Sequence, residues 1–292
     1  MTQSDAALRR RILAIQRDEV TEQHVYRALA KRQQDPANKE LLERIARDEA
    51  RHAEYWSTLT ETRVSPRRIA CWWYGLMART LGLTFAVRLM ERAERNAQAV
   101  YAELAEAYPE SVRIGEEEEE HEGMLVAMID EERLRYVGSV VLGLSDALVE
   151  LTGALAGLTL ALQDTRTIGM VGLVTGLAAA MSMGASEYLS TKAEEGDEKK
   201  PGKAAIYTFV TYLLTVLLLI VPYLILSTPL PALALTLGGA MLIILFFTYY
   251  VAVAKDAPLW PRFFEMGGLT LFVAAASFCI GFLVRLLFGI DA

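Results

Sequence analysis

Two short arrays in the first half of the chain place a carboxylate and an imidazole three residues apart: Glu49-Ala50-Arg51-His52 and Glu118-Glu119-Glu120-His121. Each follows a glutamate and a tyrosine that are seven residues apart, Glu19 with Tyr26 and Glu94 with Tyr101. Positions i and i+3 project from the same face of a helix, so Glu and His can grip one metal ion while the carboxylate bridges to a second. One Glu from each of two helices, plus Glu-x-x-His from each of two others, is the ligand set of a di-iron carboxylate bundle. Glu19, Glu49, His52, Glu94, Glu118 and His121 supply four carboxylates and two imidazoles, enough negative charge for two divalent ions. Hard oxygen with some imidazole suits Fe(II) or Mn(II). A single Glu-x-x-His carries little weight, and the run Glu116–Glu120 guarantees a glutamate three before His121. Repetition in order, each time after Glu-x6-Tyr, is what carries the assignment. Glu91 and Glu22 share faces with Glu94 and Glu19 and are additional candidate ligands, whereas His24 lies off that face. The tyrosines are expected to hydrogen-bond opposite ligands.

A second set of ionisable groups sits in strongly apolar surroundings. Asp146 and Glu150 lie one turn apart in GLSDALVELTGALAGL, and Met183 and Glu187 one turn apart in MSMGASEYLS. Ionisable groups inside a membrane span are expensive and usually functional. Carboxylates with a thioether make a binding site for a partly dehydrated transition-metal cation, and the same carboxylates can carry protons. Glu187 can alternatively snorkel to the interface; Asp146 and Glu150 have no such exit. Met170, Met181 and Met241 are read as lipid-facing or packing residues. The loop acids Glu194, Glu195, Asp197 and Glu198 form a charge run that can attract cations or simply stay solvated.

The elements that must position these groups follow from composition. The chain has 292 residues and a net charge of −7, but residues 1–136 hold 21 of its 29 basic and 25 of its 36 acidic residues. Two physical classes are therefore joined end to end. Residues 5–136 read as helices, with apolar residues at spacings of three and four. One hairpin is parted at Asp35-Pro36, and a second, over 83–108 and 111–136, at Pro109. In the second part, five stretches are long and apolar enough to span a bilayer: Val137–Leu162, Ile168–Thr191, Ala204–Ser227, Pro231–Ala254 and Met266–Phe288. Asp146 falls about 16 Å into the first of these. Small residues, Gly143, Gly153, Gly157, Gly172, Gly176, Ser182 and Gly184, permit close helix contact. The balance is acidic in both parts, which argues against nucleic acid as a partner. Cys71 and Cys279 have no metal-type spacing. The N-terminus lacks the apolar core and cleavage site of a secretory signal.

Orientation follows the basic residues. Arg133, Arg135, Lys192, Lys199, Lys200, Lys203, Lys255 and Arg262 fall on one side, against Arg166 and Arg285 on the other. That places the N-terminal part in the cytoplasm and the C-terminus outside. Ile69–Met90 is also apolar apart from Arg79 and Arg88, but a sixth span there would split the head between two faces. It is read as an amphipathic segment, with Trp72 and Trp73 resting on the membrane or in a subunit contact.

The paired motifs resemble the ferritin-like superfamily, and rubrerythrin in particular, over residues 5–136. The resemblance implies a four-helix bundle whose di-iron centre binds Fe(II) through Glu19, Glu49, His52, Glu94, Glu118 and His121. The four-cysteine iron site that supplies electrons in rubrerythrin is absent, which weakens a self-sufficient peroxidase. Residues 130–290, with GLSDALVELTGALAGL and SMGASEYLSTKAEE, are similar to the vacuolar iron transporter family. That resemblance implies a homodimer moving Fe(II) or Mn(II) out of the cytosol against protons, with a metal path between protomers. Asp146 and Met183 match its pore aspartate and methionine. Thr175 stands where eukaryotic members carry a glutamate, leaving Glu150 or Glu187 as substitutes. Together the two resemblances match the arrangement of the bacterial membrane-bound ferritins.

The expected architecture is thus all-α: a cytosolic ferritin-like four-helix bundle (1–136) followed by a five-span membrane domain (137–292), with the last bundle helix running into the first span as one rod. The expected function is proton-coupled export of Fe(II), or Mn(II), across a bacterial inner membrane, the head collecting the metal. Two rivals stand beside it. One is a membrane-anchored di-iron oxidase or peroxidase; the other makes the head a sensor that gates export.

Overall fold

A computed structural model describes residues 3–105, 108–128, 135–194 and 199–288, without the side chains of 3–7, 93–100, 102–103, 126–128 and 288. Among the described residues there are helices and connecting turns but no strand. The chain divides into two compact units, Met1–Asp130 with Val253–Asp256, and Glu131–Ala252 with Ala257–Ala292.

The first unit contains α1 (Gln3–Ala30), α2 (Pro36–Thr60), α3 (Arg68–Thr80), α4 (Leu83–Leu104) and α5 (Glu110–Met128). The turn between α1 and α2 stands where Asp35-Pro36 places it. The Asp35 carboxylate accepts a hydrogen bond from the Asn38 amide at 2.9 Å, and Pro36 occupies the first turn, where its missing N–H costs nothing. Glu61, in the left-handed region at φ 50°, ends α2. Ile69–Met90 is broken rather than continuous. Gly82 adopts φ 105°, a conformation open to glycine, and separates α3 from α4.

Apolar residues sort into two clusters. Val25, Leu29, Leu42, Ile45, Val87, Met90 and Leu125 form one; Ile12, Ile15, Trp56, Tyr101, Leu104 and Ile114 form the other. Along α1, α2 and α5 the charged candidates Glu19, Glu49, His52, Glu118 and His121 fall in sequence between the two. The head is therefore plugged with hydrocarbon on both sides of a polar layer.

The second unit contains α6 (Val137–Leu162), α7 (Thr165–Ala193), α8 (Pro201–Ile225), α9 (Pro229–Ala254) and α10 (Leu259–Phe288). All five are long and apolar enough to cross a bilayer, and the chain is a multi-pass membrane protein. They cover the five expected stretches, except that the third ends at Ile225 rather than Ser227, and the last begins earlier, at Leu259 rather than Met266. Asp164 caps α7 by accepting from the Thr167 amide at 2.7 Å, just after Gln163 turns the chain at φ 56°. Helix α6 packs against α7, α8 and α10. A side chain at Gly143 would put its Cβ 2.5 Å from the Thr208 carbonyl oxygen, and Gly157 and Gly281 meet backbone to backbone. Small residues thus set the α6–α8 and α6–α10 distances. Residues 129–134, on which the continuous α5–α6 rod depends, lie outside the described residues.

Candidate metal centre and intramembrane acids

Three helices bring described side chains of the paired motifs to one point. Glu19 comes from α1, Glu49 and His52 from α2, and Glu118 and His121 from α5. Glu19, Glu49, His52 and His121 are all buried. Ligand atoms of Glu19, Glu49, His52 and Glu118 lie within 4.8 Å of one another. His52 Nδ1 stands 2.9 Å from Glu118 Oε1, 3.4 Å from Glu19 Oε2 and 3.7 Å from Glu49 Oε2. His121 Nδ1 stands 3.3 Å from Glu49 Oε1 and 3.6 Å from Glu118 Oε2. Despite this crowding, Glu19 Oε2, Glu49 Oε2, His52 Nδ1, Glu118 Oε1 and His121 Nδ1 have no hydrogen-bond partner among the described residues.

Buried polar atoms without partners are rare and call for an explanation. Two atoms bound at about 2.1 Å to one ion, at right angles, would stand about 3 Å apart. The observed separations scatter from that value upward, and the donors are hard oxygens and imidazole nitrogen. The residues therefore form a group able to hold divalent metal.

The remaining atoms of these side chains are fixed from outside. Glu19 Oε1 accepts from the Trp56 indole N–H at 3.2 Å and from the Tyr101 hydroxyl at 2.9 Å, leaving Oε2 for the centre. His52 Nε2 lies 2.7 Å from Glu117 Oε2, and His121 Nε2 lies 3.3 Å from Asp48 Oδ2. Each ring thus turns Nδ1 inward and Nε2 toward a carboxylate, the arrangement that orients metal-binding histidines. Sequence reasoning missed Asp48, Glu117 and Trp56. The signal for the first two was present: in both arrays an acid immediately precedes the Glu of Glu-x-x-His.

Electrostatics follow from this packing. Burial raises the Glu19 carboxyl well above the ordinary range, with His52 opposing. Burial pushes Glu49 in the same direction, but the closeness of His121 and His52 overrides it and holds that carboxyl at about 2. Burial would lower both imidazoles. Glu118, Glu19 and Glu49 instead raise His52 far above its ordinary value, and Glu118 and Glu49 raise His121 to about 10. Burial opposes ionisation of Glu117 too, yet His52 and Arg51 hold it below the usual range. Without metal, protons on the two imidazoles balance the carboxylates.

The side chain of Glu94 lies outside the described residues. Glu91 is buried, with Oε2 3.3 Å from Arg88 Nη1, and is not among the residues whose ligand atoms converge. Glu22 is half-buried on α1. Tyr101 makes the cross-helix bond expected of it. His24 is exposed, with Nδ1 2.7 Å from the Val20 carbonyl oxygen, as its off-face position implies.

In the membrane unit the four pathway candidates form separate contacts. Glu150 is exposed on α6 and accepts from the Tyr212 hydroxyl of α8 at 2.7 Å. Glu187 accepts from Ser139 Oγ at 2.5 Å, near the start of α6. Asp146 is half-buried one turn before Glu150, and Met183 packs at the edge of the apolar core. Among the described residues no hydrogen bond or ion pair joins Asp146 or Glu150 to Glu187. The acids of the two helices make two contacts separated along α6, one at Ser139 and one at Glu150. A groove of about 510 Å³ carries Glu150, Tyr212, Thr175 and Ser277 on otherwise apolar walls. Met170 and Met181 are exposed, and Met241 packs against the core. Glu194 is exposed, and Glu195, Asp197 and Glu198 lie outside the described residues.

Residues 137–200, which carry Asp146, Glu150, Thr175, Met183 and Glu187, match the model of the VIT family. No curated protein matches the chain.

Proposed function

We propose that this protein exports Fe(II), and Mn(II) as a compatible ion, from the cytosol across a bacterial inner membrane. The head is a ferritin-like bundle that collects the metal; the membrane domain is a homodimer that moves it, driven by inward proton movement. The observation that carries this reading is the placement of acids on α6 within the segment matching the VIT family. An anchor has no use for a carboxylate exposed among apolar side chains, where it is costly unless it lines a pathway. A second copy covering that face of α6 would enclose Asp146 and Glu150 between protomers. Glu150 shares its groove with Thr175 and takes a hydrogen bond from Tyr212, which supports Glu150 as the substitute carboxylate for the one Thr175 lacks.

In the head, Glu19, Glu49, His52, Glu118 and His121 would hold the ion, with Glu94 completing the repeated pattern. Bound metal supplies Lewis acidity and, for iron, one-electron chemistry. This chain's own residues orient the ligands, exclude water with two apolar plugs, and give up imidazole protons when a cation enters. The N-terminal head lies in the cytoplasm and the C-terminus in the periplasm, a reading that the excess of basic residues on one side supports. Cells loaded with Fe(II) test the pore. Efflux through the native protein should fall to background with Asp146→Ala, and undiminished efflux would remove the pore assignment.

A second reading, a membrane-anchored di-iron oxidase or peroxidase, draws on one observation. Trp56 and Tyr101 stack with ring centroids 6.0 Å apart, and both bond to Glu19. It requires rapid oxygen or peroxide consumption by the full-length protein with no metal flux.

A further inference from the structure

Helix α3 carries apolar residues on two opposite faces. Cys71, Tyr74 and Ala78 face inward and pack against the head's apolar cluster. The helix is strapped there: the Arg67 amide donates to Thr21 Oγ1 at 3.0 Å, Cys71 Sγ lies 3.9 Å from the Thr21 carbonyl oxygen, and Arg32 Nη1 donates to the Gly75 carbonyl at 3.2 Å. The other face holds Ile69, Trp72, Trp73 and Leu76, at i, i+3, i+4 and i+7. Ile69 is 84% exposed, Trp72 64% and Trp73 47%. No residue of α3 is fully buried. Two indoles and an isoleucine left in water on a rigid helix mark an interaction surface.

Charge identifies what covers it. Residues 62–82 contain Arg63, Arg67, Arg68 and Arg79 and no acid, within a chain whose net charge is −7. Arg68 and Arg79, eleven residues apart in sequence, fall on the same flank of the outward stripe. Arg67, Arg68, Ile69, Trp73 and Tyr74 border a recess of about 660 Å³. An apolar stripe with tryptophans, flanked by arginines, is how a helix lies in the plane of a lipid interface. The same chain crosses a bilayer five times, so anionic headgroups are present at high local concentration.

We infer that α3 is a lipid-docking helix: Ile69, Trp72, Trp73 and Leu76 enter the headgroup–acyl boundary while Arg68 and Arg79 bind anionic phosphates. This docking is independent of whether metal is bound or moved.

The test uses the full chain in nanodiscs, with Cys71→Ser and Cys279→Ser and a single environment-sensitive fluorophore on Ile69→Cys. In discs rich in phosphatidylglycerol, the fluorophore should shift to the blue and be quenched by spin-labelled acyl chains. In discs of phosphatidylcholine alone, or with Arg68→Glu and Arg79→Glu, the quenched fraction should fall at least about fivefold. Quenching by aqueous iodide but not by lipid, in both compositions, would overturn the inference. So would shielding from both quenchers that disappears on dilution, because a second copy would then be the occupant. The lipid comparison needs no arginine variant, and it stands or falls without reference to transport.

Discussion

His52 and His121 are each held at one ring nitrogen and turn the other toward the buried carboxylates. Nδ1 points into the cluster of unpartnered oxygens, and Nε2 meets Glu117 or Asp48. Removing an outer carboxylate frees the ring without deleting a ligand. Glu117→Gln and Asp48→Asn should each weaken metal binding about 10–100-fold while leaving the fold intact, measured by calorimetric titration of the full-length protein. Protonation adds a second prediction. His121 titrates at about 10 in the folded head and near about 6.5 when unfolded. Its contribution to stability is complete below about 6.5 and is lost as pH rises through about 10. The metal-free head should therefore lose thermal stability across that window, while metal affinity rises because fewer protons must be displaced. An affinity that does not change with pH would contradict this assignment of charge. The cluster of carboxylates and imidazoles was legible because Glu-x-x-His occurs twice. Asp48 and Glu117 were not, because an acid beside an acid reads as solvated charge until the opposite helix supplies an imidazole.

Helices act here as spacers. In the head, α1, α2 and α5 carry apolar residues on both sides of each charged candidate, so hydrocarbon flanks the centre along the helices. In the membrane, α6 reaches α8 where Gly143 lets it sit on the Thr208 carbonyl. Gly143→Ala should cost about 1–3 kcal/mol through overpacking, read as a lower unfolding temperature in detergent with unchanged metal binding by the head. The spans were legible because a bilayer demands some twenty apolar residues whatever the packing. The division of Ile69–Met90 was not, since hydropathy runs unbroken through Gly82 and only its φ of 105° separates α3 from α4. Nor did spacing alone show that Glu187 would bond to Ser139 and Glu150 to Tyr212. Face and depth say which residues share a layer, while partners depend on how the helices cross.

For the whole molecule, the charge asymmetry between residues 1–136 and 137–292 announces two physical classes. One ion class would serve both: carboxylates and imidazoles receive it upstream, and carboxylates within the spans receive it next. If the head only collects the metal, disabling it should lower flux at scarce Fe(II) and leave the maximum rate intact. His52→Ala with His121→Ala is then expected to raise the half-saturating concentration about tenfold or more at an unchanged plateau. A lowered plateau would contradict the collecting role. Flux into proteoliposomes holding purified full-length protein under an imposed pH gradient tests transport most directly. Fe(II) movement should collapse with the gradient and drop at least about tenfold in Asp146→Ala. Native protein that moves no divalent cation, or Asp146→Ala protein that moves it equally well, would contradict it.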